Sequence, residues 1–201
     1  MPLKMFSQSN DKNNLKNVRS IIGIVAGKGG VGKSTVTVNL ALALKRKGFK
    51  VGILDADVYG PSIGKMLPSD VLPSSKEGQL LPAQSKGISI MSVAFFRDKD
   101  EGAVVRAPIA NQIIQQFLKG VLWGDLDYLL IDFPPGTGDV QITLMQQARL
   151  SSVVVVTTPQ EIALLDVRKS VKMCQKLEVP LLGVIENMSY FIHPETVSYT
   201  H

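Results

Sequence analysis

Gly27, Lys28, Gly29, Gly30, Val31, Gly32, Lys33 and Ser34 fit the spacing G-x-x-x-x-G-K-S/T. Chemistry on a nucleoside triphosphate explains that spacing. The glycines free the main chain to come close to phosphates. Successive N–H groups from Gly29 to Ser34 then form an anion-binding concavity, reinforced by the positive end of the helix that follows. Lys33 is placed to reach the β- and γ-phosphates and the Ser34 hydroxyl to ligate Mg²⁺; Thr35 beside it is placed to help hold the α-phosphate. A generic loop of this kind does not need Lys28, which on its own also reads as a solvated loop charge.

Carboxylates at strand ends form a second set. Asp55 and Asp57 close one apolar run, where alternation directs both to the same side. Asp132 closes another, Tyr128-Leu129-Leu130-Ile131-Asp132, in the position of a carboxylate that supports Mg²⁺ through water. After it comes Phe133-Pro134-Pro135-Gly136-Thr137-Gly138-Asp139, stiffened by two prolines. The Gly136 N–H is a candidate sensor of the γ-phosphate, and the same segment also reads as a tight turn with Asp139 as helix N-cap.

These residues need a scaffold that brings strand ends together. Nearly continuous apolar runs predict strands at Ile21–Ala26, Val51–Asp55, Ile88–Val93, Tyr128–Asp132, Ser152–Thr157 and Leu181–Ile185. Helical spacing predicts helices at Lys33–Lys47, Pro108–Lys119, Val140–Ala148 and Ala163–Leu177. Alternating strands and helices imply an α/β fold, a mostly parallel sheet flanked by helices on both faces in three layers, with ligands at the carboxyl ends of the strands. Residues 1–19 read as a polar extension, residues 20–201 as one domain, and Pro61 to Lys86 as a long, partly mobile connection.

The 201 residues suit a single globular domain, with 45% hydrophobic residues and no apolar run long enough to span a membrane. The net charge is +5, but its densest cluster, Lys45-Arg46-Lys47, closes a helix, where cations suit the dipole; nucleic acid and membrane are not expected partners. One cysteine, Cys174, excludes an intrachain disulfide and suits a reducing compartment. The N-terminal residues carry no signal-peptide core, so the expected location is cytoplasmic.

Five strings together resemble the Mrp family of iron–sulfur cluster carrier ATPases, in the deviant P-loop class with MinD and ParA: Lys28 to Thr35, Leu54 to Ser62, Asp127 to Asp139, Thr158-Pro159-Gln160-Glu161 and Glu186-Asn187-Met188-Ser189. The resemblance covers about Val18 to Phe191. It implies a P-loop ATPase acting as a homodimer with ATP sandwiched at the interface, delivering clusters to apo iron–sulfur recipient proteins. Lys28 then corresponds to the signature lysine that reaches the partner's phosphates. Asp57 corresponds to the switch aspartate orienting the attacking water, Asp55 to a Mg²⁺-shell carboxylate and Asn187 to the residue reading the adenine edge. Catalysis falls to Lys28, Lys33 and Asp57.

The family also implies a four-iron, four-sulfur cluster held by a C-x-x-C pair after Asn-Met-Ser. Here His193 and Thr196 stand at those positions, so no cluster ligands are identified. The resemblance implies further strands beyond His201, and the chain reads as a shortened copy or a fragment. A MinD- or ParA-like ATPase for spatial positioning is the alternative. Arg106 and Trp123 are without an assigned role.

Overall fold

The structure, a computed structural model, describes residues 14–58, 60–76, 78–96, 107–136, 138–192 and 199–200. Its frame is a seven-stranded sheet in the order β5-β6-β2-β7-β1-β8-β9, formed by β5 (Ala83–Ser85), β6 (Ile88–Ser92), β2 (Val51–Asp55), β7 (Leu126–Asp132), β1 (Val18–Val25), β8 (Ser152–Thr157) and β9 (Leu181–Glu186). All pairings are parallel except β5 with β6. Consequently β1, β2, β6, β7 and β8 all deliver their carboxyl ends to one rim.

Helices cover both faces. Helix α1 (Lys33–Arg46) buries Lys33, Thr37 and Ala41, spaced four apart and hence on one side. With Ile63 of the short α2 (Ile63–Met66), it closes a core over Ile22, Ile24, Ile53, Ile90 and Leu130. On the opposite face α3 (Ala107–Gly120), α4 (Asp139–Gln147) and α5 (Glu161–Lys176) cover Ile21, Val25, Leu54, Leu129, Ile131 and Val155. Alternate residues of each central strand thus enter different cores, which is why those strands are apolar throughout. Backbone N–H groups of Lys47 and Gly48 bond the last carbonyls of α1, where Lys45 and Arg46 suit the negative end of the dipole.

The expected fold is present, and the predicted elements lie within a few residues of the observed ones. The connection from Pro61 to Lys86 is not a plain loop. It holds α2, the hairpin of β3 (Ser74–Lys76) and β4 (Gln79–Leu81), and β5. These strands have three residues each, too short to rise above their Pro, Ser and Gly surroundings as a pattern. The folded region also begins before residue 20: Leu15 packs on the core and the Asn14 amide donates to the Lys119 carbonyl. At α4 the cap position is Gly138, with Asp139 as the first helical residue.

Trp123 packs in the core under α3. Cys174 is likewise buried, and burial pushes its thiol pKa up, away from reactivity. Along β9, by contrast, Leu182 is 64% and Val184 50% exposed, and no strand flanks its outer edge among the described residues. No described helix is long and apolar enough to cross a membrane. The short strands β10 (Phe191–Ile192) and β11 (Tyr199–Thr200) pair antiparallel in a separate sheet.

Candidate functional site

The loop from Gly27 to Gly32 leaves the end of β1, the strand lying between β7 and β8. Neighbours fix it at both ends. A Cβ on Gly27 would fall against the backbone of Asp166 in α5, 2.7 Å from its carbonyl carbon, so only glycine fits there. Gly32, at φ +85°, is the N-cap of α1 in a left-handed conformation, and the Asn187 side-chain amide fills the space a Cβ would need. That amide donates to the Val31 carbonyl at 2.9 Å, while the Asn187 backbone N–H donates to the Thr157 carbonyl at 2.8 Å. Asn187 therefore clamps the loop to the ends of β8 and β9. Gly29 and Gly30 lie exposed at the loop's tip.

The first turn of α1 meets the end of β7. Lys33 Nζ lies 2.8 Å from Asp132 Oδ1, and both side chains are buried. Ser34 Oγ donates to Asp132 Oδ2 at 2.6 Å. Thr37 Oγ1 lies 2.9 Å from Asp132 Oδ1 and 3.1 Å from the Lys33 carbonyl, with one hydrogen to share between them. A carboxylate removed from water needs donors to replace the hydrogen bonds it gives up. The result ties the loop's lysine and serine to one strand end.

Asp55 lies beside Asp132 in the β2–β7 register. Its Oδ2 accepts from the Ser92 hydroxyl at 3.0 Å, and its Oδ1 from the Asp57 N–H at 3.2 Å. Burial, reinforced by the Asp132 charge, pushes the Asp55 pKa up to about 7; the Ser92 bond, the Lys33 charge and the Asp57 N–H oppose this without cancelling it. Asp57 is only partly buried, and its Oδ1 accepts from the Gly60 N–H at 3.1 Å.

A pH dependence follows. Asp55 binds its proton more tightly folded than unfolded, where a carboxyl titrates near ~4. The associated stability is full below about pH 4 and is lost as pH rises through about 7. In thermal melts of protein dialysed free of Mg²⁺ and nucleotide, Asp55→Asn is expected to flatten the fall in stability across that window. An unchanged slope would refute the assignment.

The remaining candidates sit around this centre. Lys28 Nζ donates to Gln160 Oε1 at 3.0 Å, at the N-cap of α5. The Thr35 side chain is exposed, its hydroxyl 3.9 Å from the Met66 sulfur. The Gly136 N–H donates to the Ala26 carbonyl at 3.1 Å, so a role in sensing phosphate would require that bond to open. Thr137, Arg106, His193 and Thr196 lie outside the described residues.

Three contributors escaped sequence reasoning: Thr37, Ser92 and Gln160. Thr37 was accessible in principle, since it follows Lys33 by four and must share its helix face. Ser92 reaches Asp55 only because β6 lies next to β2, which the order of strands along the chain does not reveal. Gln160 lies in the Thr158–Glu161 string that carries the family resemblance, but its partner, Lys28, left no signal in the sequence.

Ser34, Asp132 and Asp55 offer a hydroxyl and carboxylates, hard oxygen donors suited to Mg²⁺, which takes its other ligands from phosphates and water. No group of three or more His, Cys, Asp or Glu side chains able to hold a metal exists among the described residues, which is consistent with so sparse a protein shell. An iron–sulfur cluster does not fit. Four thiolates are needed, whereas this chain has one cysteine, and it is buried.

A glycine loop running from a central parallel strand into a helix, its lysine and serine bonded to an aspartate at the neighbouring strand's end, is the arrangement of a P-loop NTPase. The family follows from comparison: a model described as "ParA: NUBPL iron-transfer P-loop NTPase" matches residues 17–201, and the chain belongs to that family. The "Iron-sulfur cluster carrier protein" of Haemophilus influenzae is 50% identical over 94% of this chain and 51% of its own length. The chain thus spans about half the length of the curated relatives it matches. Among solved structures, a nucleotide-binding protein in complex with ADP from Archaeoglobus fulgidus has a TM-score of 0.81 and 39% identity over 98% of this chain and 77% of that one. The cell division ATPase MinD of Pyrococcus furiosus follows at a TM-score of 0.62 and 25% identity, over 84% and 72%. Iron–sulfur carriers are nearer kin than MinD, which disfavours the positioning alternative.

Proposed function

We propose that this chain binds and hydrolyses Mg-ATP, and that the cycle serves the assembly or transfer of iron–sulfur clusters to apoproteins. The observation that carries the first half is the bonding of Lys33 and Ser34 to Asp132 at the mouth of the glycine loop. The relatives named as cluster carriers support the second half. ATP phosphates would compete with Asp132 for the Lys33 ammonium, while loop N–H groups hold the oxygens. Ser34 and Asp132, with Asp55 behind them, would hold Mg²⁺, which supplies neutralisation of charge on the β- and γ-phosphates. Asp57 would orient a water whose oxygen attacks the γ-phosphorus as the bond to the bridging oxygen of ADP breaks.

Lys28 would act across a homodimer, adding positive charge to the partner's phosphates. Asn187, already clamping the loop, would read the adenine edge. The cluster is cargo in this reading, and its thiolate ligands lie outside these 201 residues, since two copies contribute only two buried cysteines. Cytoplasmic location fits the same picture.

A phosphate-release assay tests the enzyme assignment. Asp57→Asn should keep nucleotide affinity within about twofold and lower turnover roughly 100-fold, the scale of a lost water-positioning group. Wild-type turnover by that variant would defeat the assignment. Anaerobic reconstitution with iron and sulfide should leave this chain without iron–sulfur absorbance; a stable cluster would overturn the view of it as cargo held elsewhere.

A further inference from the structure

Helix α5 is buried along Ala163, Ser170, Met173 and Cys174. Its opposite side carries Glu161, Leu165, Arg168 and Lys172, spaced so as to form one stripe along the helix. All four are exposed. Leu165 is 56% exposed and Ile162, beside it in the first turn, 71%. Neither Glu161 nor Arg168 enters an ion pair among the described residues; Lys169, next to the stripe, pairs with Asp166 within its own helix. An apolar centre with an acid about one turn before it and a base about one turn after it is self-complementary. When two such helices cross antiparallel at Leu165, each Glu161 meets the partner's Arg168 and the two leucines meet each other.

We propose that the N-terminal half of α5 is a docking surface for a second copy of this chain, with Leu165 at the two-fold axis. The proposal rests on the homodimeric reading given above and says which helix makes its apolar contact. Its position supports this role. Asp166, one residue beyond Leu165, packs on Gly27 at the start of the phosphate loop. Gln160, the N-cap of the same helix, holds the Lys28 ammonium at 3.0 Å. Docking along α5 therefore brings a second chain to the residue that must leave its own subunit to reach the other's phosphates.

A residue at a two-fold axis forms a disulfide with its own copy, provided the α-carbons approach within about 7 Å. Cys174 is the chain's one cysteine and is buried, so a thiol introduced by Leu165→Cys is the accessible one. Under mild oxidation with Mg-ATP, Leu165→Cys should yield mostly disulfide-linked dimer. Leu72→Cys, 69% exposed and far along the chain from α5, should yield little. In sedimentation with Mg-ATP, Glu161→Arg and Arg168→Glu should each weaken dimerisation about tenfold, and their combination should recover most of the loss. Nucleotide binding by these variants should stay within about twofold of wild type, since none touches the loop. A Mg-ATP dimer that forms regardless of these substitutions, or a double variant without recovery, would overturn the α5 surface alone. A wild-type chain that binds Mg-ATP and stays monomeric would overturn the homodimer as well.

Discussion

Lys33→Ala is expected to lower kcat/KM for ATP by about 1,000-fold or more, the largest catalytic loss among single substitutions in this site. Lys33 is the buried cation of the loop, and its charge is fixed 2.8 Å from Asp132 at the helix start where phosphates bind. Preorganised donors in such a setting are worth about 100- to 1,000-fold each, and an ammonium serving two phosphates belongs at the upper end. The variant also leaves the Asp132 carboxylate, among the described residues, with the hydroxyl donors of Ser34 and Thr37 alone. Some stability is therefore lost too, and melts belong beside the kinetics. Near-wild-type turnover by folded Lys33→Ala would remove the basis for the proposed chemistry.

The second large effect is structural. Asp132→Ala removes the only carboxylate bonded to Lys33 among the described residues and leaves its ammonium buried at 7% exposure. Breaking a buried pair from one side costs about 3–5 kcal/mol. For a chain of this length that corresponds to a fall in Tm of roughly 10 °C. Ser34 and Thr37 lose their acceptor in the same step. Asp132→Asn keeps the shape without the charge and should fall between wild type and alanine in the melt, while still losing Mg²⁺-dependent turnover. A melting temperature unchanged by Asp132→Ala would show that the pair contributes nothing to the fold.

The glycine loop and the acidic strand ends were legible because each is a local pattern. Gly27 to Ser34 must be a loop opening a helix, and Asp55 and Asp132 each terminate an apolar run. What stayed hidden depends on neighbours distant in sequence. Gln160 meets Lys28 across 132 positions and Asn187 meets Val31 across 156, and neither contact leaves a trace in residue spacing. The segment from Pro61 to Lys86 misled for a different reason. Its strands are held by pairing to β6 or to each other, not by propensity, so turn-forming composition dominated the reading. The Asp55–Ser92 bond is of the same kind, set by the order of strands across the sheet. Sequence named loop and strand-end residues that the fold brings together, such as Lys33, Ser34 and Asp132, and was incomplete about what holds them still.

The open flank of β9 bears on how this polypeptide will behave in the tube. Leucines, valine and isoleucine on both sides of a strand whose outer edge pairs with no strand among the described residues make a template for cross-β stacking between copies. Such clumping needs no nucleotide and grows steadily with concentration, whereas assembly at the phosphate loop should saturate with ATP. Turbidity and light scattering will separate the two, and a lysine placed mid-strand, as in Val184→Lys, should quiet the first while sparing the second.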